Sequence, residues 1–277
     1  MVRRGVIIQV RTDSTRLPNK AFLKLPFNFD LTATEQVIIR SKKIMDIDDV
    51  IIATTCKKSD SVFENIAKNT GIKIFKGSDF NVLERFYFAA QANKVDVIIR
   101  LTGDNPCVDS QVVDIILKNH IEKKSDYTLT KGYPIGLDVE VFNFDALEKA
   151  YKNATKDYEK EHVTPYINRN PQIFKINEIK APKELSAPDI RVTLDTEEDY
   201  ALLCAVFDYL YPKNKYFNTY DIVNLFKEKP WLKLINKKIM QKKIFNTLEE
   251  ELEEAVKILD LQDLNKARDF IREHLSR

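Results

Sequence analysis

Four short β-branched runs in the first part of the chain, at 6–10, 50–53, 72–75 and 95–101, are separated by segments whose apolar residues recur at helical spacing, at 34–45, 59–69 and 82–92. Short strands divided by single helices reach a common sheet through right-handed crossovers, so this alternation predicts a mostly parallel sheet with helices on both faces. Ligands of such sheets bind beyond the carboxyl ends of the strands. The loop that opens at Arg11 and the segment after Leu101 both lie there. Another helical pattern follows at 109–121. The second half is less regular, with strands predicted at 126–130, 138–144, 173–179 and 190–194 and helices at about 145–151, 158–170 and 197–210. From Tyr211 the chain reads as a lysine-rich link, and 246–277 as two helices joined near Leu261. The expected architecture is an α/β domain over 1–240 with a C-terminal helical hairpin, 241–277, appended to it.

Composition narrows the function classes. A chain of 277 residues can bury a large core, and its apolar runs are no longer than a strand, so neither a membrane span nor a signal peptide is predicted. A cytoplasmic protein without membrane insertion is expected. Forty-four basic residues against 42 acidic ones leave a net charge of +2, which argues against nucleic acid as a partner. Cys56, Cys107 and Cys204 are widely spaced and form no CxxC, so neither a disulfide framework nor a zinc site is indicated.

The segment RTDSTRLPNK, 11–20, crowds Arg11, Arg16 and Lys20 into one loop. Guanidinium forks match phosphate oxygens in pairs and an ammonium acts as a point charge, so a polyphosphate is a natural guest. Ser14 and Thr15 add donors, and Pro18 fixes the backbone at the turn. Taken alone, a solvated basic loop is an equal alternative, because neither GxxxxGK[ST] nor GxGxxG occurs. In RLTGDNPCVD, 100–109, Gly103 allows a sharp turn and Asp104 projects past the strand end, while Asp109 is placed to cap the next helix. A carboxylate such as Asp104 beside a polyphosphate usually holds magnesium. In RVTLDTEED, 191–199, Thr196 and Asp199 approximate a capping box, with Asp195 just before it. If this strand neighbours the one that ends near Leu101, Asp104 and Asp195 can share one Mg²⁺. GYPIGLDVEVF, 132–142, places Asp138 and Glu140 on one side of a strand, and EKEHVTPY, 159–166, contains His162. A histidine on a helix is more often structural than catalytic.

In this order, the segments resemble the cytidylyltransferases of the CMP-KDO synthetase class, and most closely their SpsF-like branch, over roughly residues 5–240. RTDSTRLPNK, ATT at 53–55, Gly77-Ser-Asp, Val82-Leu-Glu-Arg, RLTGDNP, GLDVEVF, EKEHVTPYI and TLDTEEDY carry the resemblance. It implies a nucleotide-diphospho-sugar transferase-like fold related to Rossmann architectures, CTP, Mg²⁺ and a homodimer. It places Arg11, Ser14, Arg16 and Lys20 on the triphosphate, with Arg16 and Lys20 in the catalytic role, and Asp104 and Asp195 on the metal. Ala53, Thr54, Gly77 and Arg85 would frame the base and ribose, and Asp138, Glu140 and His162 would face the acceptor. The chain departs from the branch at Asp13 and Asn19, where small residues are usual. Asparagine can take the left-handed backbone that glycine would supply. A carboxylate at Asp13 repels phosphate unless it points outward or joins the metal shell.

The implied reaction moves CMP from CTP to an acceptor oxygen and releases pyrophosphate, for cell-surface polysaccharide or related glycoconjugate synthesis. The acceptor would be a sugar acid, or a phosphonate or phosphate monoester. Two alternatives stand beside it: a nucleotide-sugar glycosyltransferase, for which the DxD of Asp46-Ile-Asp48 lies ahead of a strand, and a non-catalytic nucleotide-binding subunit.

Overall fold

A computed structural model describes residues 2–14, 16–239 and 247–275. Along β1 (Arg4–Gln9), the inner four residues are all buried, as expected of a strand covered on both faces. Val6 and Ile8 enter one apolar cluster and Ile7 the other. Around it lie β2 (Asp49–Thr55), β3 (Lys73–Gly77), β4 (Val97–Thr102), β5 (Tyr127–Lys131), β6 (Glu140–Asn143) and β7 (Ile176–Lys180). The sheet order is β3-β2-β1-β4-β6-β5-β7. All pairings are parallel except those of β6, which runs antiparallel to both β4 and β5.

One face is covered by α1 (Ala33–Ser41), α2 (Val62–Thr70), α4 (Ser110–Lys123), α8 (Glu197–Leu210) and α9 (Thr219–Glu228). The other carries α3 (Val82–Asn93), α5 (Phe144–Asn153) and α7 (Pro165–Asn168), with α6 (Asp157–His162) just before α7. Local chemistry sets the helix starts. Asp109 accepts the Gln111 and Val112 amides, and Thr32 and Glu35 form a reciprocal capping box.

Four local expectations fail. Residues 190–194 form no strand: the segment is extended but makes a single bridge, Ile135 to Arg191. The helix expected over 158–170 is two helices, parted at Val163, whose φ of 72° and ψ of −58° make a strained γ-turn closed by Thr164 N–H donating to His162 O at 2.9 Å. The lysine-rich link after Tyr211 contains α9, opened by a capping box between Asn218 and Asp221, and a 3₁₀ turn, Pro230–Leu234. The helix expected over 34–45 ends at Ser41.

The chain divides into two compact units, Met1–Ile239 and Met240–Arg277. In the second, α10 (Leu248–Leu261) and α11 (Asn265–Leu275) form a hairpin in which Asp260 receives Arg268 at 2.8 Å and Arg272 at 3.0 Å. The boundary expected at 240 and the helix start at 246 lie outside the described residues.

Candidate active site

The ends of β1 and β4 are neighbours, Gln9 pairing with Thr102, and the Gly103 amide donates to Gln9 O at 2.8 Å. A Cβ on Gly103 would stand 2.7 Å from Val10 Cγ2. Glycine is thus needed here for close approach, and not for the turn conformation expected from the sequence. The next residue, Asp104, is held by the Thr102 hydroxyl at 2.5 Å, and its carbonyl accepts the Leu194 amide at 2.8 Å. This second bond brings the extended 190–194 segment alongside and places Asp195 next to Asp104. Gly136 permits it: with φ 97°, its missing Cβ leaves room for Thr193 N at 2.8 Å.

Lys20 joins the two acids. Asn19 adopts the left-handed conformation at φ 57°, as its side chain allows, and starts a 3₁₀ turn, Lys20–Phe22. The Lys20 ammonium then lies 2.6 Å from Asp104 Oδ2 and 2.8 Å from Asp195 Oδ1. Burial alone would lower the Lys20 pKa, but the two carboxylates hold it above its usual value. Asp195 also receives Arg16 at 3.1 Å and Arg191 at 2.8 Å. Its burial would raise its pKa, and Lys20, Arg16 and Arg191 together pull it below the usual carboxylate range. Arg191 is anchored in turn by buried Asp199, at 2.9 and 3.0 Å, which also accepts from Asn236. Asp199 therefore serves Arg191, and its part in the helix cap is limited to its amide, which donates to Thr196 Oγ1. Three cations, Arg16, Lys20 and Arg191, thus interlock with Asp104, Asp195 and Asp199 at the carboxyl end of β4.

The rest of the basic loop turns toward β2 and β3. Thr12 donates through both its amide and its hydroxyl to Asp60 Oδ1, at 2.8 and 2.6 Å. Asp13 meets Lys57 at 2.5 Å, and Lys57 also reaches Asp79 at 3.3 Å. Arg11 is exposed and Ser14 half-buried, while Thr15 lies outside the described residues. Of the four residues expected near base and ribose, Ala53 points its side chain into the core under α3, and its carbonyl accepts the Val10 amide. Thr54 is fully buried; its hydroxyl neighbours Asp60 but makes no bond of hydrogen-bonding geometry among the described residues. Gly77 ends β3 against the Arg85 side chain. Arg85 is fully buried, donates from Nη1 to Ser78 O at 3.1 Å, and leaves Nε and Nη2 unpartnered among the described residues. Burial, and then the nearby Arg11 charge, push its pKa down to about 10.

On the far side of β4 a second polar cluster forms around Glu140. Its carboxylate takes Arg100, the Tyr127 hydroxyl and the Thr164 hydroxyl, the last at 2.7 Å. Burial would raise the Glu140 pKa, but Arg100 and these donors hold it below the usual value. Asp138 precedes β6, is exposed, and carries a carboxyl pushed up to about 6, by the surrounding protein first, with the Glu140 charge adding. His162 closes α6 and opens the γ-turn that delivers Thr164 to Glu140. Sequence reasoning missed Arg100, Tyr127, Thr164, Arg191 and Lys57. Arg100 had a signal, as a lone charge in an apolar strand. The Asp46-Ile-Asp48 triplet lies ahead of β2, beside Arg4, at the opposite end of the sheet from Lys20.

The chain has known relatives. The chain is 40% identical to MJ1063, an uncharacterised protein of Methanocaldococcus jannaschii, over 85% of this chain and 95% of that one. It is 38% identical to the spore coat polysaccharide biosynthesis protein SpsF of Bacillus subtilis, over 73% of this chain and 85% of SpsF. The solved structure of a cytidylyltransferase from Leptospira borgpetersenii matches with a TM-score of 0.77 at 30% identity, over 89% of this chain and 100% of that one. The sheet is accordingly of the nucleotide-diphospho-sugar transferase-like kind. The cytidylyltransferase family model matches residues 5–270, beyond the end of the sequence motifs and into α11. With these motifs, this sheet and this span of similarity, the chain belongs to the cytidylyltransferase family, in its SpsF-like branch, and is a CTP-dependent nucleotidyltransferase.

Proposed function

We propose that the enzyme transfers CMP from CTP to an acceptor oxygen and releases pyrophosphate, with Arg16 and Lys20 as the catalytic cations. The observation that carries this reading is the common focus of Arg16, Lys20, Asp104 and Asp195 where β1 and β4 end, in the place an α/β sheet reserves for ligands. The two carboxylates point at one cation between them, and a divalent ion of the magnesium type takes one or two carboxylates together with substrate phosphates. The donor set fits such an ion, although among the described residues no three His, Cys, Asp or Glu form a complete metal cage. Asp104 and Asp195 would hold it, and when bound it would supply Lewis-acid polarisation of a phosphate oxygen. The protein's own part is positioning and charge. Lys20 and Arg16, released from the acids as the nucleotide enters, would neutralise the charge that gathers on the leaving pyrophosphate. Arg11 and Ser14 would extend that grip. Arg85, with two idle nitrogens in the interior, suits acceptor atoms of the base or ribose, beside Ala53, Thr54 and Gly77.

The acceptor would approach from the β6 side, past Asp138, Glu140 and His162. Glu140 is engaged by three donors, which leaves Asp138 as the carboxylate on this side placed to act as a general base. An acceptor that is already anionic, a phosphonate or phosphate monoester, needs none, while a sugar acid attacking through a hydroxyl would draw on Asp138. We place the chemistry in residues 1–240, with 241–277 as a helical appendage, in a cytoplasmic homodimer serving cell-surface polysaccharide or related glycoconjugate synthesis. The test is incubation with CTP, magnesium and both kinds of acceptor, following pyrophosphate. Release that depends on one acceptor class is the expected result. Release of a nucleoside diphosphate from a nucleotide-sugar, or CTP binding without turnover on any acceptor, would replace this reading.

A further inference from the structure

Asp13 is the oddity of the basic loop, an acid among Arg11, Arg16 and Lys20, and the structure gives it a partner from outside that loop. Lys57, from the loop after β2, lies 2.5 Å from Asp13 and 3.3 Å from Asp79, which follows β3. One ammonium therefore ties together the loops beyond three adjacent parallel strands. The neighbouring contacts orient it. Thr12 is fixed to buried Asp60 through two hydrogen bonds, so the chain enters Asp13 with its side chain turned toward β2, while Arg16 and Lys20 turn the other way, to Asp195. The Asp79 end is also held: Arg85 donates to Ser78 O at 3.1 Å, and the Asn81 amide donates to Ser78 Oγ at 3.1 Å.

We propose that Lys57 is a positioning residue for nucleotide binding, one that screens the Asp13 carboxylate from the triphosphate by holding it against the β2 and β3 loops. The proposal rests on the reading of 11–20 as the triphosphate loop and adds a residue to it. The physics is that of like charges. A triphosphate entering this loop meets a carboxylate whose field is reduced at short range by an ammonium that it shares with Asp79. Lys57 and Asp13 are both partly exposed, 42% and 57% at the side chain, so the pair contributes little to stability. Its effect appears when a polyanion arrives, because an uncovered Asp13 repels every phosphate that Arg16 and Lys20 attract.

Equilibrium binding of CTP with magnesium and no acceptor, by calorimetry, tests this in four proteins alongside the wild type. Lys57→Met is expected to weaken binding about five- to tenfold, the scale of one unscreened charge at a part-exposed site. Asp13→Asn alone binds at least as tightly as wild type, and the double variant returns to within about twofold of wild type. A thermal midpoint for each variant confirms that the fold is kept. Wild-type affinity in Lys57→Met overturns the proposal. So does a double variant as weak as Lys57→Met, which would make Lys57 a direct phosphate ligand, or an Asp13→Asn as weak as Lys57→Met, which would make the pair a tether. Lys20→Met separates the two levels: normal CTP binding there would sink the triphosphate-loop reading itself, whereas failure confined to Lys57 leaves that reading standing.

Discussion

The two polar clusters that flank β4 use the same chemistry in opposite ways. Around Asp104 and Asp195 two of the partners, Arg16 and Lys20, are long, rotatable cations from the 11–20 segment, while the third, Arg191, is anchored by buried Asp199, and Asp195 is shared among all three. Around Glu140 the partners sit on packed elements: Arg100 on β4, Tyr127 on β5, and Thr164 presented by a γ-turn. The first arrangement can exchange its internal cations for a substrate's charges at little structural cost. The second closes on itself: Arg100 and Glu140 are about as exposed as Lys20 and Asp195, but without Glu140 the buried Tyr127 and Thr164 hydroxyls lose their acceptor. Acids of equal prominence in the sequence are thus divided by their surroundings into groups that can change partners and a group that cannot.

Substitutions that strike one cluster at a time measure this division. The largest effect is expected from Asp104→Asn. Asparagine keeps the shape and Lys20 keeps Asp195, so the thermal midpoint should barely move while turnover falls by on the order of 10³-fold, the scale for removing one electrostatic element of a phosphoryl-transfer site. A midpoint that falls with the activity would erase the contrast. Glu140→Gln should behave in the reverse sense. Removing the charge takes the counter-ion from Arg100 and weakens the acceptor shared by the Tyr127 and Thr164 hydroxyls, which should cost about 2–3 kcal/mol of folding stability by denaturant titration. A neutral outcome would place Glu140 with the exchangeable acids.

How much of this could be read beforehand depends on the range of the forces involved. The parallel half of the sheet and the position of Asp104 just past β4 were legible, because strand periodicity and a charge past a strand end are local signals, and the crowding of Arg16 and Lys20 in one segment was plain in the sequence. That Asp104 and Asp195 meet rests on the Leu194 amide finding Asp104 O, a contact across ninety residues of chain that no local pattern encodes. The 190–194 segment has strand composition yet lacks a strand partner, and only the assembled sheet decides that. The break at Val163 had one legible warning, Pro165, which has no amide to continue a helix through it and opens α7 at its first position. A β-branched residue at φ 72° runs against its own preference and follows from tertiary packing of its fully buried side chain. The α9 helix was hidden by surrounding lysines although Asn218 and Asp221 spelled a cap. Lys57 gave no sign at all, its partners lying 44 and 22 residues away.

Smaller effects refine the same contrast within the acceptor side. Thr164→Val removes one of three donors to Glu140 and should cost about 1 kcal/mol, less than Glu140→Gln because Arg100 and Tyr127 remain. Equal losses in both variants would mean that the γ-turn, and not the charge, holds the cluster together. The finest comparison is between Asp138 and Glu140, two residues apart and shifted in opposite directions. The Glu140 carboxyl lies below its ordinary value, so its contribution is present above its unfolded pKa and is lost as pH falls through the folded one. Asp138, pushed up to about 6, does the opposite. Between its ordinary pKa of about 3.9 and that value, the folded protein holds a proton that the unfolded chain has released. Stability should therefore decline as pH rises across that window and level off above it. Denaturant midpoints of wild type and Asp138→Asn from acid to neutral pH should converge at the acid end and separate on approach to pH 6, the variant lacking the decline. Parallel curves would give Asp138 an ordinary carboxyl, and would remove the reason to assign it the proton of a hydroxyl acceptor.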